Sequence, residues 1–391
     1  APFQEPEKIK GSEIENAHYR LSLDAGTLTL EDKRSGRRIP SFFTLEDCAD
    51  AGDSYDFSPL AGDTPTRCSH FTLVDGVKTK LVEKLTVEAT MLLPQDLASR
   101  QETARTPLSI RLVCELRHDD PNLYVEASLE NSHCDHRLRL LIGSDIHTRH
   151  AIASLPFAII QRETGYDGEK WQERYREKPV DIETSEGIIA VTEPGKALVV
   201  TSRGMKEFQI IGSEPAAIAL TMFKSTGVLG RSDLEWRPGR ASGINNTVVE
   251  TPDAQLLKPL HFSFTVALAD NADHLTLRQL ENQAAGQPFS YQPQALHTLD
   301  SRLERFALRL PERRLPAEFS LLTLPEPLIL SALPHAQQLH GTVLRVFNAG
   351  TQPVPVPTSL AGLRQINYLE EPVQPVTAIS PSATCDFLIE A

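Results

Sequence analysis

The sequence is poor in the features that define several protein classes. Its five cysteines, Cys48, Cys68, Cys114, Cys134 and Cys385, are odd in number and widely spaced, with no CxxC pair. That excludes a disulfide framework or a cysteine zinc site and suits a reducing, cytoplasmic compartment. There is no Lys/Arg-rich run, and 39 basic residues against 52 acidic give a net charge of −13. An acidic surface repels a phosphate backbone, so nucleic acid is not an expected partner, although a local Arg cluster can still focus positive potential on a small anion. No apolar run approaches the roughly 18 residues of a membrane helix. The first ten residues have no apolar stretch of signal-peptide type. Ala1 is not an initiator Met, so a processed chain or a piece of something longer is expected. GxSxG, a Walker loop and a GxGxxG after a strand are all missing. Aromatics are few, with seven Tyr and two Trp.

What is present is alternation. After a polar stretch at 1–13, read as a linker, Tyr19, Leu21 and Leu23 alternate with polar residues, a turn follows at Asp24-Ala25-Gly26, and Leu28 and Leu30 resume the pattern. The same period marks 81–93, 108–116, 123–129 and 138–142, with further strands expected at 187–192, 196–202, 207–212, 216–224 and 260–268. One helix is expected at 272–285, capped by Asn271 or Asp273 and stopped by Gly286. A Pro- and Gln-rich connector at 286–300 precedes a second β segment, in which the tract 351–359 must lie at an edge or in a loop. The 28 prolines favour a loop-rich β protein. The expected architecture is mainly β: a large antiparallel β-sandwich over 14–290, then a smaller β-sandwich domain over 301–391.

Four segments could carry chemistry. Asp47, Asp50, Asp53 and Asp56 recur every three residues around Gly52 and Tyr55. The spacing does not match an EF-hand loop, and the readings left open are a solvated loop, paired glycosidase carboxylates, or a ligand-facing loop in which Tyr55 offers a hydroxyl and a ring. Asn131–Arg137 places two His, a Cys and an Asp together. On a strand, however, His133 and Asp135 would face opposite to Cys134 and His136, and no second ligand pair is evident. His147 and His150 fall in a presumed loop. Lys224–Gly243 gathers Lys224, Arg231, Arg237 and Arg240 with four glycines. Arg forks pair with carboxylate or phosphate, and Trp236 could stack on a sugar. The plain alternative is a surface loop whose Arg residues pair with Asp233 and Glu235.

Several segments then point to one family. IENAHYRLSLDAGTLTLEDKRSGR (14–37), DAGDSYDFSPL (50–60), LENSHCDHRLRLLI (129–142), LTMFKSTGVLGRSDLEWRPGRASG (220–243) and FSLLTLPEPLILSALPHA with GTVLRVFNAG (319–336, 341–350) stand in the order in which similar segments occur in the C-terminal, β-rich region of family 38 glycoside hydrolases. The chain resembles the α-mannosidases and, within them, the bacterial mannosylglycerate hydrolase branch, from about residue 14 to its end. The resemblance implies a mutarotase-like supersandwich packed on an N-terminal catalytic domain that would precede Ala1. It implies a retaining, zinc-dependent glycosidase as the whole enzyme. The family's His-x-His-x-Asp motif and its nucleophile segment are absent here, so no catalytic, metal or cofactor residue is assigned in this chain, which is expected to be inactive alone. Zinc is expected in the catalytic domain. Tyr55 and Arg231 are expected at the substrate rim, with Asp53, Arg237 and Trp236 behind them. The substrate would be a mannoside, an anionic one included. No membrane partner is expected, and a homo-oligomer is allowed. The rival reading is a stand-alone carbohydrate-binding or structural β-sandwich protein.

Overall fold

The alternating segments pair into antiparallel sheets in the computed structural model, which describes residues 6–156, 158–165, 168, 170–202, 204–239, 248–286, 320 and 322–390. The chain divides into two units, Ala1–Ala284 and Ala285–Ala391. The connector at 287–300, the start of the second β segment at 301–319, and Arg240 with Gly243 lie outside the described residues.

In the first unit, a ten-stranded sheet has its long strands at Val82–Leu93, Thr106–Arg117, Leu123–Glu130 and Pro259–Ala269. A six-stranded sheet is centred on His136–Gly143, flanked by Phe43–Ala49 on one side and Ala217–Lys224 on the other. Each long strand turns every second residue inward, as with Leu85, Val87, Ala89, Met91 and Leu93. These meet Leu45, Leu138, Leu140 and Ile142 of the smaller sheet in one continuous core, which is how two half-polar sheets both leave water. Phe43 sits in it with its ring 4.5 Å from that of Phe42 and edge-on to Phe264.

The helix His274–Ala285 starts where expected: the Asp273 carboxylate accepts the backbone N–H of Thr276 at 2.8 Å. Its Leu277 and Leu280 cover Ile188, Ala190, Val199 and Ala267 on the outer face of the ten-stranded sheet. No helix among the described residues is long and apolar enough to cross a membrane.

Three details differ from the sequence reading. Residues 7–13 are not wholly linker. Glu7–Lys8 pairs with Thr72–Lys78 at the edge of the large sheet, with Lys8 held by Asp75 at 2.5 Å, and Glu13 begins a strand that pairs with Tyr19–Asp24. Charged residues suit an exposed edge, which is why the pair looks like a tail in one dimension. Asp47 and Cys48 belong to the strand Phe43–Ala49, not to a loop. The strand near His136 begins only at that residue, so the alternation invoked for 133–136 does not apply, and the two buried His rings lie 5.9 Å apart.

The second unit has a four-stranded sheet, with Thr342–Asn348 and Thr384–Ile389 at its centre, over a core that includes Leu328, Val346 and Phe387. Val354–Pro355 of the Pro-rich tract forms a short two-stranded pair with Ala378–Ile379.

Candidate functional site

The two segments singled out by composition leave the six-stranded sheet at the same end. Ala49 pairs with His136, and Lys224 pairs with the next residue, Arg137, so the strands on both sides of His136–Gly143 run out together. Sheet topology thus brings the 50–58 loop against the 225–239 loop, although Asp53 and Arg231 are 178 positions apart.

The first loop is wound around its own carboxylates. Asp50 accepts the backbone N–H groups of Gly52 at 2.9 Å and Ser58 at 3.2 Å. Asp53 accepts those of Tyr55 at 2.9 Å and Asp56 at 3.0 Å through one oxygen. Only glycine fits at 52, where a Cβ would lie 2.0 Å from the Asp56 carbonyl oxygen. The second oxygen of Asp53 accepts the Arg231 backbone N–H at 2.7 Å and one Arg237 guanidinium nitrogen, while Arg237 reaches Asp56 with the other. Arg231 donates to the Ala51 carbonyl at 3.1 Å, and Lys224 to the Asp53 carbonyl at 2.8 Å. Arg231 and Arg237 therefore pair with the first loop, and not with Asp233 and Glu235; Asp233 instead accepts the Gly239 N–H at 3.0 Å.

Of the five residues read as substrate-facing, Asp53 is fully buried and Arg237 is 5% exposed, joined as a clamp. Arg231 and Trp236 are half-buried, and Tyr55 is 50% exposed at the loop tip. Phe57 packs edge-on to Trp236 at 5.4 Å and beneath the Arg137 guanidinium at 3.7 Å. Tyr55, Phe57, Trp236 and Arg237 line a cleft of about 210 Å³ with the segment around Lys178–Thr184.

Electrostatics differ along the loop. Burial raises the Asp53 carboxyl, but the N–H groups of Arg231 and Asp56 and the Arg237 guanidinium overcome it and hold the group below the usual range. Asp50 is the opposite case. Burial pushes it up, and the Lys224 ammonium 3.6 Å away offsets this only in part. An acid raised in the folded state contributes stability at low pH, which is lost as pH rises from its unfolded value through its folded one. Asp50→Asn should therefore gain on the wild type as pH rises above about 4, read as urea midpoints at several pH values. Parallel pH profiles for the two proteins would show that Asp50 ionises without penalty.

Behind the loops lies a group that joins two segments read separately in the sequence, around Asp47 and around His133 and His136, with Arg100 and Thr106, which the sequence reading did not single out. Asp47 accepts Arg100 at 2.8 Å and bonds the His136 ring at 2.5 Å, and His136 bonds Asn131 at 3.1 Å. His133 bonds Thr106 at 2.8 Å and Ser132 at 3.2 Å, and burial keeps it below the usual imidazole range. Both imidazoles are spent on protein partners. Among the described residues, no three His, Cys, Asp or Glu side chains gather as a metal would need. The sequence offered these polar residues but not their pairing, because Asp47 reads there as part of an acidic loop and only the fold places it on the strand Phe43–Ala49.

Comparison with known proteins gives a consistent picture. The family "Glycosyl hydrolases family 38 C-terminal domain" matches residues 14–227. A protein of Halalkalibacterium halodurans named "Putative mannosylglycerate hydrolase" is 24% identical over 263 residues, 62% of this chain and 27% of its own length. An α-mannosidase from Enterococcus faecalis V583 shares the fold with a TM-score of 0.77 at 20% identity, over 99% of this chain and 42% of its own. A family 38 protein of Enterococcus faecalis does so at 0.75 and 20%, over 99% and 44%. The chain thus spans less than half the length of each of these relatives.

Proposed function

Because this chain belongs to the C-terminal domains of glycosyl hydrolase family 38, we propose that it is the β-rich, non-catalytic part of an α-mannoside hydrolase and that its two clamped loops form part of the substrate rim. One observation carries the reading. Tyr55, 50% exposed, stands on a loop whose base is fixed by buried charge pairs. A side chain presented on an over-determined loop is what substrate positioning requires, because small displacements of a contact forfeit rate. Arg231 and Trp236 share the contact, and Asp53 and Arg237 position them.

The nucleophile, the acid–base residue and the zinc belong, in this reading, to a catalytic domain preceding Ala1 in the same polypeptide. Among the described residues no side-chain cluster fits a metal, and no chemical step is routed through one here. Arg231 is the residue suited to an anionic aglycone. A cytoplasmic location is part of the same reading, supported by five free cysteines.

The test begins with the reading frame upstream of Ala1, which should encode a His-x-His-x-Asp domain. In the complete polypeptide, Tyr55→Phe and Arg231→Ala should each lower kcat/KM for an α-mannoside about ten-fold, equivalent to ~1.4 kcal/mol of transition-state stabilisation. A frame that opens at Ala1 would move a stand-alone binding or structural role to the front. Turnover within two-fold of wild type (a difference of roughly 0.4 kcal/mol) would remove the loops from the rim.

A further inference from the structure

Segments adjoining three different strands meet at one residue, Asp135. It immediately precedes the strand His136–Gly143. Its carbonyl accepts the Asp50 N–H at 2.9 Å, at the root of the first loop. Its Oδ1 accepts the Gly227 N–H at 3.1 Å, at the root of the second. The Gln255 side chain closes on it from a third direction. Gln255 Oε1 accepts the Asp135 N–H at 2.8 Å, and Gln255 Nε2 donates to Asp135 Oδ1 at 2.8 Å. Gln255 lies in the turn Pro252–Gln255, which leads into Pro259–Ala269 of the ten-stranded sheet. The pair therefore braces both loops, which leave the six-stranded sheet, against the other sheet.

The brace is itself held in place. Gln255 is 9% exposed, and Asn131 Nδ2 donates to its carbonyl at 3.0 Å and to that of Leu256 at 3.3 Å. The Thr251 N–H donates to the Gly227 carbonyl at 2.9 Å, so the turn also grips the second loop directly. A Cβ at Gly227 would lie 2.7 Å from Gln255 Nε2, so this close approach requires glycine.

Backbone conformation is a second, independent observation. Asp135 has φ +50° and Leu256 φ +53°, in the left-handed region that residues other than glycine enter at a cost. Such strain persists where the surrounding contacts over-determine it, and it collects at functional sites. Glycine at 135 would relieve it and would keep both backbone hydrogen bonds. What aspartate supplies beyond glycine is the oxygen shared by Gly227 and Gln255. The strain at 135 is therefore tied to holding the second loop, not to making the turn.

The lever is short. Val228, next to Gly227, accepts the Ser54 N–H at 3.2 Å, and Arg231 follows three residues later. A shift at Gly227 thus moves Arg231 against Tyr55.

We propose that Asp135, braced by Gln255, is a positioning residue that sets the Arg231 loop against the Tyr55 loop. The proposal rests on the reading of these loops as part of the substrate rim, and Asp135 itself touches no substrate in it.

Two measurements test it. In the complete polypeptide, Asp135→Gly should lower kcat/KM for an α-mannoside about five-fold. Asp135→Asn tolerates the same backbone conformation and keeps the acceptor oxygen, so it should stay within about two-fold of wild type. With Arg231→Ala already present, the loss from Asp135→Gly should shrink below about two-fold, because residues that act through one another are not additive. Beside Tyr55→Phe it should keep its full size. A general loss of stability would cost the same factor in every background.

The second measurement is amide hydrogen exchange on the 391-residue chain. Asp135→Gly should speed exchange from Thr226 to Arg231 about ten-fold and leave the strand His136–Gly143 unchanged. Unchanged exchange at Arg231, an Asp135→Asn variant as impaired as Asp135→Gly, or an equal loss with and without Arg231→Ala would each overturn the proposal. Faster exchange in Asp135→Gly beside an Arg231→Ala variant with wild-type turnover would overturn the rim reading and leave the brace standing.

Discussion

Arg237→Ala is expected to destabilise the protein by about 3–5 kcal/mol, the range for removing one partner of a buried ion pair. The side chain is almost wholly enclosed, and its two terminal nitrogens hold Asp53 and Asp56 while one also donates to the Arg231 carbonyl at 3.1 Å. Without it, Asp53 remains buried with only the backbone N–H groups of Tyr55, Asp56 and Arg231. Those donors place the loss at the lower end of the range. Lysine should recover little, because a point charge cannot fork between two carboxylates. The measurement is the urea midpoint of the chain at constant m-value. A loss below about 1 kcal/mol would put this pair with ordinary surface ion pairs and free the loops from the clamp. Asp53 also sets the pH course. Its depressed carboxyl supports stability above the unfolded value, and that support is lost as pH falls through the folded one.

Asp47→Ala should cost a similar 3–5 kcal/mol, for the opposite charge. Arg100, with a side chain 2% exposed, donates to Asp47 at 2.8 Å, and its next carboxylate is Asp63 at 3.8 Å. Truncating Asp47 strands the guanidinium and also releases His136, whose far nitrogen bonds Asn131. Asn131 in turn donates to the Gln255 carbonyl at 3.0 Å, so the change propagates to the 252–256 turn. The double substitution Asp47→Ala with Arg100→Met removes both charges and should regain a large part of the loss. Single and double variants of equal stability would show that the cost lies in packing and not in the stranded charge.

The strands at 188–193, 196–201, 207–211, 217–224 and 259–269, and the helix with its Asp273 cap, emerge within a residue or two of where periodicity predicts them. The family is likewise legible, because short segments such as 50–60 and 129–142 keep their order along the chain. Legibility ends at Phe43–Ala49. Leu45 enters the core while Glu46 and Asp47 are buried in ion pairs, so this strand shows no polar face and reads as part of an acidic loop. Alternation reveals a strand that water wets on one side, and an unbroken apolar run reveals one buried on both, as at Lys196–Thr201; Phe43–Ala49, buried with charges on it, offers neither signal.

The site divides along the same line. Composition marks the acidic and the Arg-bearing segments separately, and the family resemblance sets Asp53, Tyr55, Arg231, Trp236 and Arg237 at one rim. Which of them face outward is a matter of pairing. Arg237 has Asp233 and Glu235 as near neighbours in the chain, yet it turns to Asp53 and Asp56. Local patterning is a property of neighbouring residues, so the chain carries its strands, turns and helix cap openly. A charge partner is chosen by which strands lie side by side, and that choice follows from burying one hydrophobic core between two sheets. It therefore exists only once the whole sandwich has formed.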